Sequence, residues 1–183
     1  MELEELEING AWLARSPIHN DERGIFREWF KSSDVIRRMN RDFKVAQANI
    51  SISNTGVVRG IHFSTSQEGQ GKWVTCVSGT IWDVVVDIRP DSPTFKKWVG
   101  VELRSNSGDA IFLSEGLGHG FIALEDNSIV AYLLTSEFSI LDEFGVNPFD
   151  EDLGIEWPLK ATSLSAKDTN LPSLVDLFKA KKE

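Results

Sequence analysis

Four scarcities narrow the chemistry of this 183-residue chain. It has one cysteine, one tyrosine, three histidines and a deficit of basic residues, with a net charge of −9 and a pI near 4.9. The lone Cys76 excludes an internal disulfide and fits a reducing cytoplasm. Too few cations argue against a nucleic-acid or membrane-surface binder, which needs a basic face. A small anion held by a few local cations stays compatible with that charge. No apolar run approaches the roughly 20 residues that span a bilayer. The acidic opening, residues 1–7, does not read as a signal peptide. Repeats and low-complexity segments are missing as well.

What is present is ordinary for a globular chain, 41% hydrophobic and 26% charged. That length predicts one domain with a proper core. Residues 5–15 read as a first strand and 25–30 as another, after the turn signal Asp21-Glu22-Arg23-Gly24. Ser33-Asp34 is placed to cap a short helix through Met39. From residue 45 to 135 short strands follow one another at close spacing. Among them, 72–77 and 80–88 flank Ser78-Gly79, which reads as a hairpin turn. With no room for crossover helices, the pattern predicts an antiparallel sandwich or barrel, all-β with a few short helices. Residues 138–183 change character. They read as a tail that wraps the β core, with a short helix over 171–178.

The segment Gly56-Val57-Val58-Arg59-Gly60-Ile61-His62-Phe63 conflicts with its own pattern. It sets a guanidinium and an imidazole inside a β-branched run, and such conflicts gather at functional sites. Arg59 and His62 differ in parity, so a regular strand sends them to opposite faces. An irregularity at Gly60 is therefore predicted, turning both to one side. Upstream, Gln47, Asn49, Ser51 and Ser53 share a face opposite Ala48, Ile50 and Ile52. That polar face suits either solvent or a wet cavity.

The remaining candidates each have a bland alternative. His19 reads as surface. His119, between Gly118 and Gly120, reads as a hydrogen-bonded histidine or a site residue. Lys72 reads as a solvated strand-end charge unless the site claims it. Tyr132 sits in an apolar run, and its hydroxyl needs a partner or a task. Asp83 and Asp87 share a strand face and read as solvated, or as partners of Lys72 or Arg89. Three protein ligands at close spacing are not visible, so no metal site is assigned. A base, a cation, a phenol and a polar face together suit proton abstraction beside a carbonyl.

Several blocks in order carry a family resemblance over about residues 10–175. They include Asp21-X-Arg23-Gly24-X-Phe26-X-Glu28, Gln47-Ala48-Asn49-Ile50-Ser51, the Arg59 to His62 segment, Asp83-Val84-Val85-Val86-Asp87-Ile88-Arg89, Gly118-His119-Gly120-Phe121 and Ile155-Glu156-Trp157-Pro158. In these the chain resembles the dTDP-4-dehydrorhamnose 3,5-epimerase family. The resemblance implies a cupin-type jelly roll, usually a homodimer, without cofactor or catalytic metal. Its implied substrate is a dTDP-4-keto-6-deoxyhexose. It assigns His62 as base, Asp168 as its partner, Lys72 as holder of the enolate oxygen and Tyr132 as acid on the opposite face. Arg23, Glu28, Gln47, Asn49, Arg59, His119, Glu143 and Lys167 match positions that contact nucleotide or sugar. An N-terminal strand exchanged between subunits fits it too. Phe138 stands where the family often has tyrosine, and Leu117-Gly118 where Phe-Ala is usual. The alternatives are a single-centre epimerase of an antibiotic-sugar pathway, a metal-dependent cupin oxygenase and a non-catalytic sugar-nucleotide module.

Overall fold

A computed structural model describes residues 1–180. The strands in chain order are β1 (Glu2–Glu5), β2 (Ala11–Arg15), β3 (His19–Asp21), β4 (Gly24–Phe26), β5 (Gln47–Ser53), β6 (Val58–Ser64), β7 (Lys72–Ser78), β8 (Thr80–Asp87), β9 (Trp98–Arg104), β10 (Asp109–Leu113), β11 (Leu117–Ala123), β12 (Ser128–Leu134) and β13 (Glu143–Gly145). The helices are α1 (Ser32–Met39), α2 (Ala166–Thr169) and α3 (Leu174–Ala180). One sheet runs β1-β2-β10-β7-β12-β5 and a second β13-β6-β11-β8-β9, with β3 and β4 forming a separate hairpin. Every strand pairing is antiparallel, and the chain crosses between sheets at most connections, which makes a jelly roll.

Three apolar layers follow from strand parity. Ile81, Val85, Val74, Val130, Leu117 and Phe121 meet between the sheets. Alternate residues Ile61, Phe63, Val84 and Val86 point outward from the five-stranded sheet, where Val146, Leu153, Leu174 and Leu177 of the tail cover them. On the outer face of the six-stranded sheet, Val35 of α1 and Phe43 pack on Trp73 and Phe112. Buried side chains of this size contribute about 1.5–3 kcal/mol each.

Local readings needed correction where topology intervened. Residues 5–15 are not one strand but the hairpin β1·β2, turning through 6–10. The strand expected over 25–30 ends at Phe26. Ser33 and Asp34 do not cap α1: the N-cap is Lys31, without a side-chain bond, and Asp34 pairs with Arg37 at 2.6 Å. Ser78-Gly79 is no hairpin turn. β7 and β8 lie in different sheets, so the pair forms a corner between layers. Gly79 takes φ +71 there, and a Cβ would stand 2.7 Å from Ser128 Oγ. No local pattern separates a hairpin from such a corner, because both need the same turn chemistry.

Candidate active site

The polar face of β5 turns inward. Gln47, Asn49 and Ser51 line a cavity, while Ile50 and Ile52 are 70% and 58% exposed on the outside. Of the two readings of that strand, the wet cavity holds. Gly60 supplies the predicted irregularity. The β6·β11 register runs His119↔His62 and then shifts to Phe121↔Arg59. Gly60 has φ +125, and a Cβ would stand 2.5 Å from Gly120 Cα. The shift turns Arg59 and His62 into the same cavity despite their parity.

This cavity has a volume of about 550 Å³ and lies between the sheets. Into it project His62, Lys72, Tyr132 and Asp168, with Gln47, Asn49, Arg59, His119, Glu143 and Lys167. His62 comes from the five-stranded sheet and Tyr132 from the six-stranded one, so the two rings enter from facing walls. Arg23 and Glu28 do not join them. The β3·β4 hairpin projects from the body, Arg23 pairs with Asp21 of its own turn, and Glu28 pairs with Lys31 at 3.6 Å. Nothing in this single chain brings that hairpin to the cavity.

Asp168 reaches His62 because the tail is pinned to β6. Val58 N–H donates to Ser163 O at 3.1 Å, and Thr162 N–H to Gly56 O at 2.9 Å. Ser165 then caps α2, its Oγ accepting from the Asp168 N–H at 3.0 Å. His62 Nε2 lies 2.6 Å from Asp168 Oδ1. Burial works to raise the Asp168 carboxyl, but hydrogen bonds from His62, Ser165 and the Gly60 N–H hold it below the usual carboxylate range. An ionised Asp168 accepts the Nε2 proton and leaves the Nδ1 lone pair free. Glu143 Oε1 sits 3.9 Å from that Nδ1 and 3.6 Å from Lys167 Nζ.

Lys72 is not the solvated strand end that its sequence suggests. It is 6% exposed, with Nζ 3.5 Å from His62 O, and burial pushes its ammonium below the ordinary lysine range. Tyr132 stands directly opposite Asn49 across β12·β5. Burial raises its phenol above the usual value, and the nearby Asn49 side chain partly offsets that. Arg59 Nε donates to Ser53 Oγ at 3.0 Å. Gln47 donates to Asn49 Oδ1 at 2.9 Å and accepts from Phe138 N–H at 2.7 Å.

Asp83 and Asp87 are buried rather than solvated. Asp83 Oδ2 lies 2.8 Å from His119 Nε2, and Asp87 binds Arg89, one of the partners foreseen for it. Both imidazoles in the cavity therefore hold a carboxylate through Nε2, and among the described residues no group of three His, Cys, Asp or Glu is set to hold a metal ion. Sequence reasoning missed Gln70, Phe121, Leu134 and Ser165 in the lining. Two carried a signal: Ser165, as the Ser-x-x-Asp start of a helix, and Phe121, as the end of the Gly118-His119-Gly120-Phe121 block. Gln70 lies in a glycine-flanked loop that looks like any other.

A jelly roll whose interior holds a carboxylate-bound imidazole, a buried ammonium and a phenol on the far wall defines a class: an enzyme that moves protons on a polar, anionic substrate. Comparison with known proteins narrows it. The family model described as dTDP-4-dehydrorhamnose 3,5-epimerase matches residues 5–176. A dTDP-4-dehydrorhamnose 3,5-epimerase of Mycobacterium tuberculosis is 43% identical over 180 residues, 97% of this chain and 89% of that protein. An epimerase structure from the same organism superposes with a TM-score of 0.96 at 42% identity, covering 99% of this chain and 92% of the other. A 3′-monoepimerase from Streptomyces bikiniensis, solved with dTDP-quinovose, gives 0.93 at 40% identity over 96% and 89%. The chain belongs to the dTDP-4-dehydrorhamnose 3,5-epimerase family.

Proposed function

We propose that this enzyme inverts C3 and C5 of a dTDP-4-keto-6-deoxyhexose in deoxysugar biosynthesis of the dTDP-rhamnose type. The observation that carries the reading is the entry of His62 and Tyr132 from facing sheets into one cavity. With Nε2 bound to Asp168, His62 takes a proton through Nδ1 from a carbon beside the C4 ketone. The Lys72 ammonium stabilises the enolate oxygen. Tyr132, kept protonated by its raised pKa, returns a proton from the other side, and the centre inverts. Arg59, His119, Gln47, Asn49 and Lys167 are assigned to the sugar and diphosphate. Arginine meets phosphate oxygens bidentately, so local cations recruit an anion to an acidic protein.

The hairpin with Arg23 and Glu28 belongs, on this reading, to a homodimer. Ile25 and Phe26 on it are 57% and 65% exposed, and β5 is an uncharged open edge with Ile50 and Ile52 on its surface. Edge strands of single subunits are normally blunted by charge, as Glu2, Glu4 and Glu5 blunt β1 at the other end of the same sheet. Exchange of the hairpin covers β5 and brings Arg23 and Glu28 to the partner's cavity. The cupin-type barrel acts in the cytoplasm, as the buried single thiol of Cys76 suits a reducing compartment. No described helix is long and apolar enough to cross a membrane.

A single-centre reading has a specific support, the likeness to the 3′-monoepimerase. Proton NMR of dTDP-4-keto-6-deoxyglucose with the enzyme in D2O decides between them. Deuterium at C3 and C5 with inversion at both is expected. Incorporation at C3 alone selects the single-centre reading, and no incorporation removes the epimerase assignment.

A further inference from the structure

An epimerase with two different proton carriers ends each inversion in the wrong protonation state. His62 has gained a proton and Tyr132 has lost one. Before a second centre is inverted, or a second substrate, the pair must be reset. The imidazole cannot discharge through Nε2, because that nitrogen already faces Asp168 at 2.6 Å and Asp168 is buried. The proton therefore leaves through Nδ1.

The titratable groups around that nitrogen are few. Lys72 approaches only the His62 backbone carbonyl. Its ammonium carries donors and no acceptor. His119 is paired across the strands with His62, but its Nε2 is held by Asp83. Glu143 is the carboxylate at Nδ1, 3.9 Å away, a gap that one side-chain rotation or one water spans. The same oxygen, Oε1, lies 3.6 Å from the Nζ of Lys167, a side chain that is half exposed, so the carboxylate links the base to a solvated ammonium. Its charge is also felt at Tyr132 and at Lys72.

We propose that Glu143 is the proton-relay residue that resets the His62–Tyr132 pair between inversions; the proposal rests on the epimerase reading above. The imidazolium Nδ1–H gives its proton to the Glu143 carboxylate, which restores neutral imidazole. The carboxylic acid passes the proton to solvent water at the mouth, and the Tyr132 phenolate takes one back from solvent. No net proton is consumed. Reset while the substrate stays bound lets C3 and C5 be inverted in one binding event. Glu143 is thus more than a contact to the sugar, and Lys167 holds its carboxylate at the point of transfer.

The test uses quenched-flow kinetics on Glu143→Gln, which keeps the shape of the side chain and loses the proton acceptor. One inversion per active site is expected in a first fast phase. Steady-state turnover should then run about a hundredfold below wild type. Formate or imidazole buffer should speed that slow phase in proportion to its concentration. Glu143→Asp, with a shorter reach, should show a weaker buffer dependence. A first inversion slowed as much as turnover, or a slow phase that ignores buffer, overturns the relay and leaves Glu143 a binding residue. An inactive wild-type enzyme would instead count against the epimerase reading, so the two failures are distinct.

Discussion

His62 and Asp168 stand 106 residues apart in the chain and 2.6 Å apart in space. The contact is made by a tail hydrogen-bonded along the start of β6 and by a one-turn helix capped by Ser165. It sets which imidazole nitrogen is left for the cavity and so, on the proposed reading, the direction in which His62 acts as base.

Asp168→Asn should leave the fold intact and lower solvent exchange at both carbons by about 10²–10⁴-fold, the usual weight of a positioned base. An asparagine oxygen can still accept the Nε2 proton, but the charge that stabilises the imidazolium is gone. Deuterium wash-in by NMR reads the rate. Exchange within a factor of about three of wild type would remove Asp168 from the mechanism.

Tyr132→Phe separates abstraction from return. Exchange at the base-facing side should persist while inversion falls by about a hundredfold or more. Product stereochemistry by NMR, set beside deuterium content, checks the split. Equal loss of both would place Tyr132 in binding rather than proton return.

The alkaline limb of the pH–rate profile should belong to Lys72. Burial lowers its pKa, so the ammonium loses its charge at a lower pH than an ordinary lysine does. Stabilisation of the enolate is present below that pH and lost above it. Lys72→Arg, which stays charged, should carry the limb to higher pH even if its rate is lower. An unmoved limb in that variant would assign it to another group.

Asp87 makes a stability prediction independent of catalysis. It accepts from Arg89, Ser92 and Thr94 in a fully buried position. Burial alone would raise its carboxyl, but these donors draw it down to about 2. Because the folded value lies below the unfolded one, its contribution is complete above roughly pH 4 and fades as pH falls towards 2. Asp87→Asn should cost about 1–3 kcal/mol in urea unfolding at neutral pH. The difference from wild type should shrink on acidification.

On the proposed hairpin-exchanged dimer, Ile50→Asp on the outer face of β5 should shift the sedimentation coefficient from dimer to monomer. It should also weaken dTDP binding, since the partner's hairpin would no longer deliver Arg23 and Glu28. A variant that stays dimeric with full affinity would move the interface elsewhere.

Much of this protein was legible before folding was considered. Short alternating strands without crossover helices required an antiparallel β fold, because strand parity and chain length leave no other way to bury those residues. The clash between charge and pattern at Arg59 and His62 marked the site, and Gly60 marked where the strand had to break register. What the sequence could not decide was sidedness and partnership. Whether the polar face of β5 meets water or a cavity, whether Ser78-Gly79 turns within a sheet or between sheets, and whether Lys72, Asp83 and Asp87 are solvated all depend on which layer lies opposite. Those facts come from contacts between residues far apart in the chain. Local preference constrains the shape of a segment, while its environment is set only when the second sheet and the tail close over it.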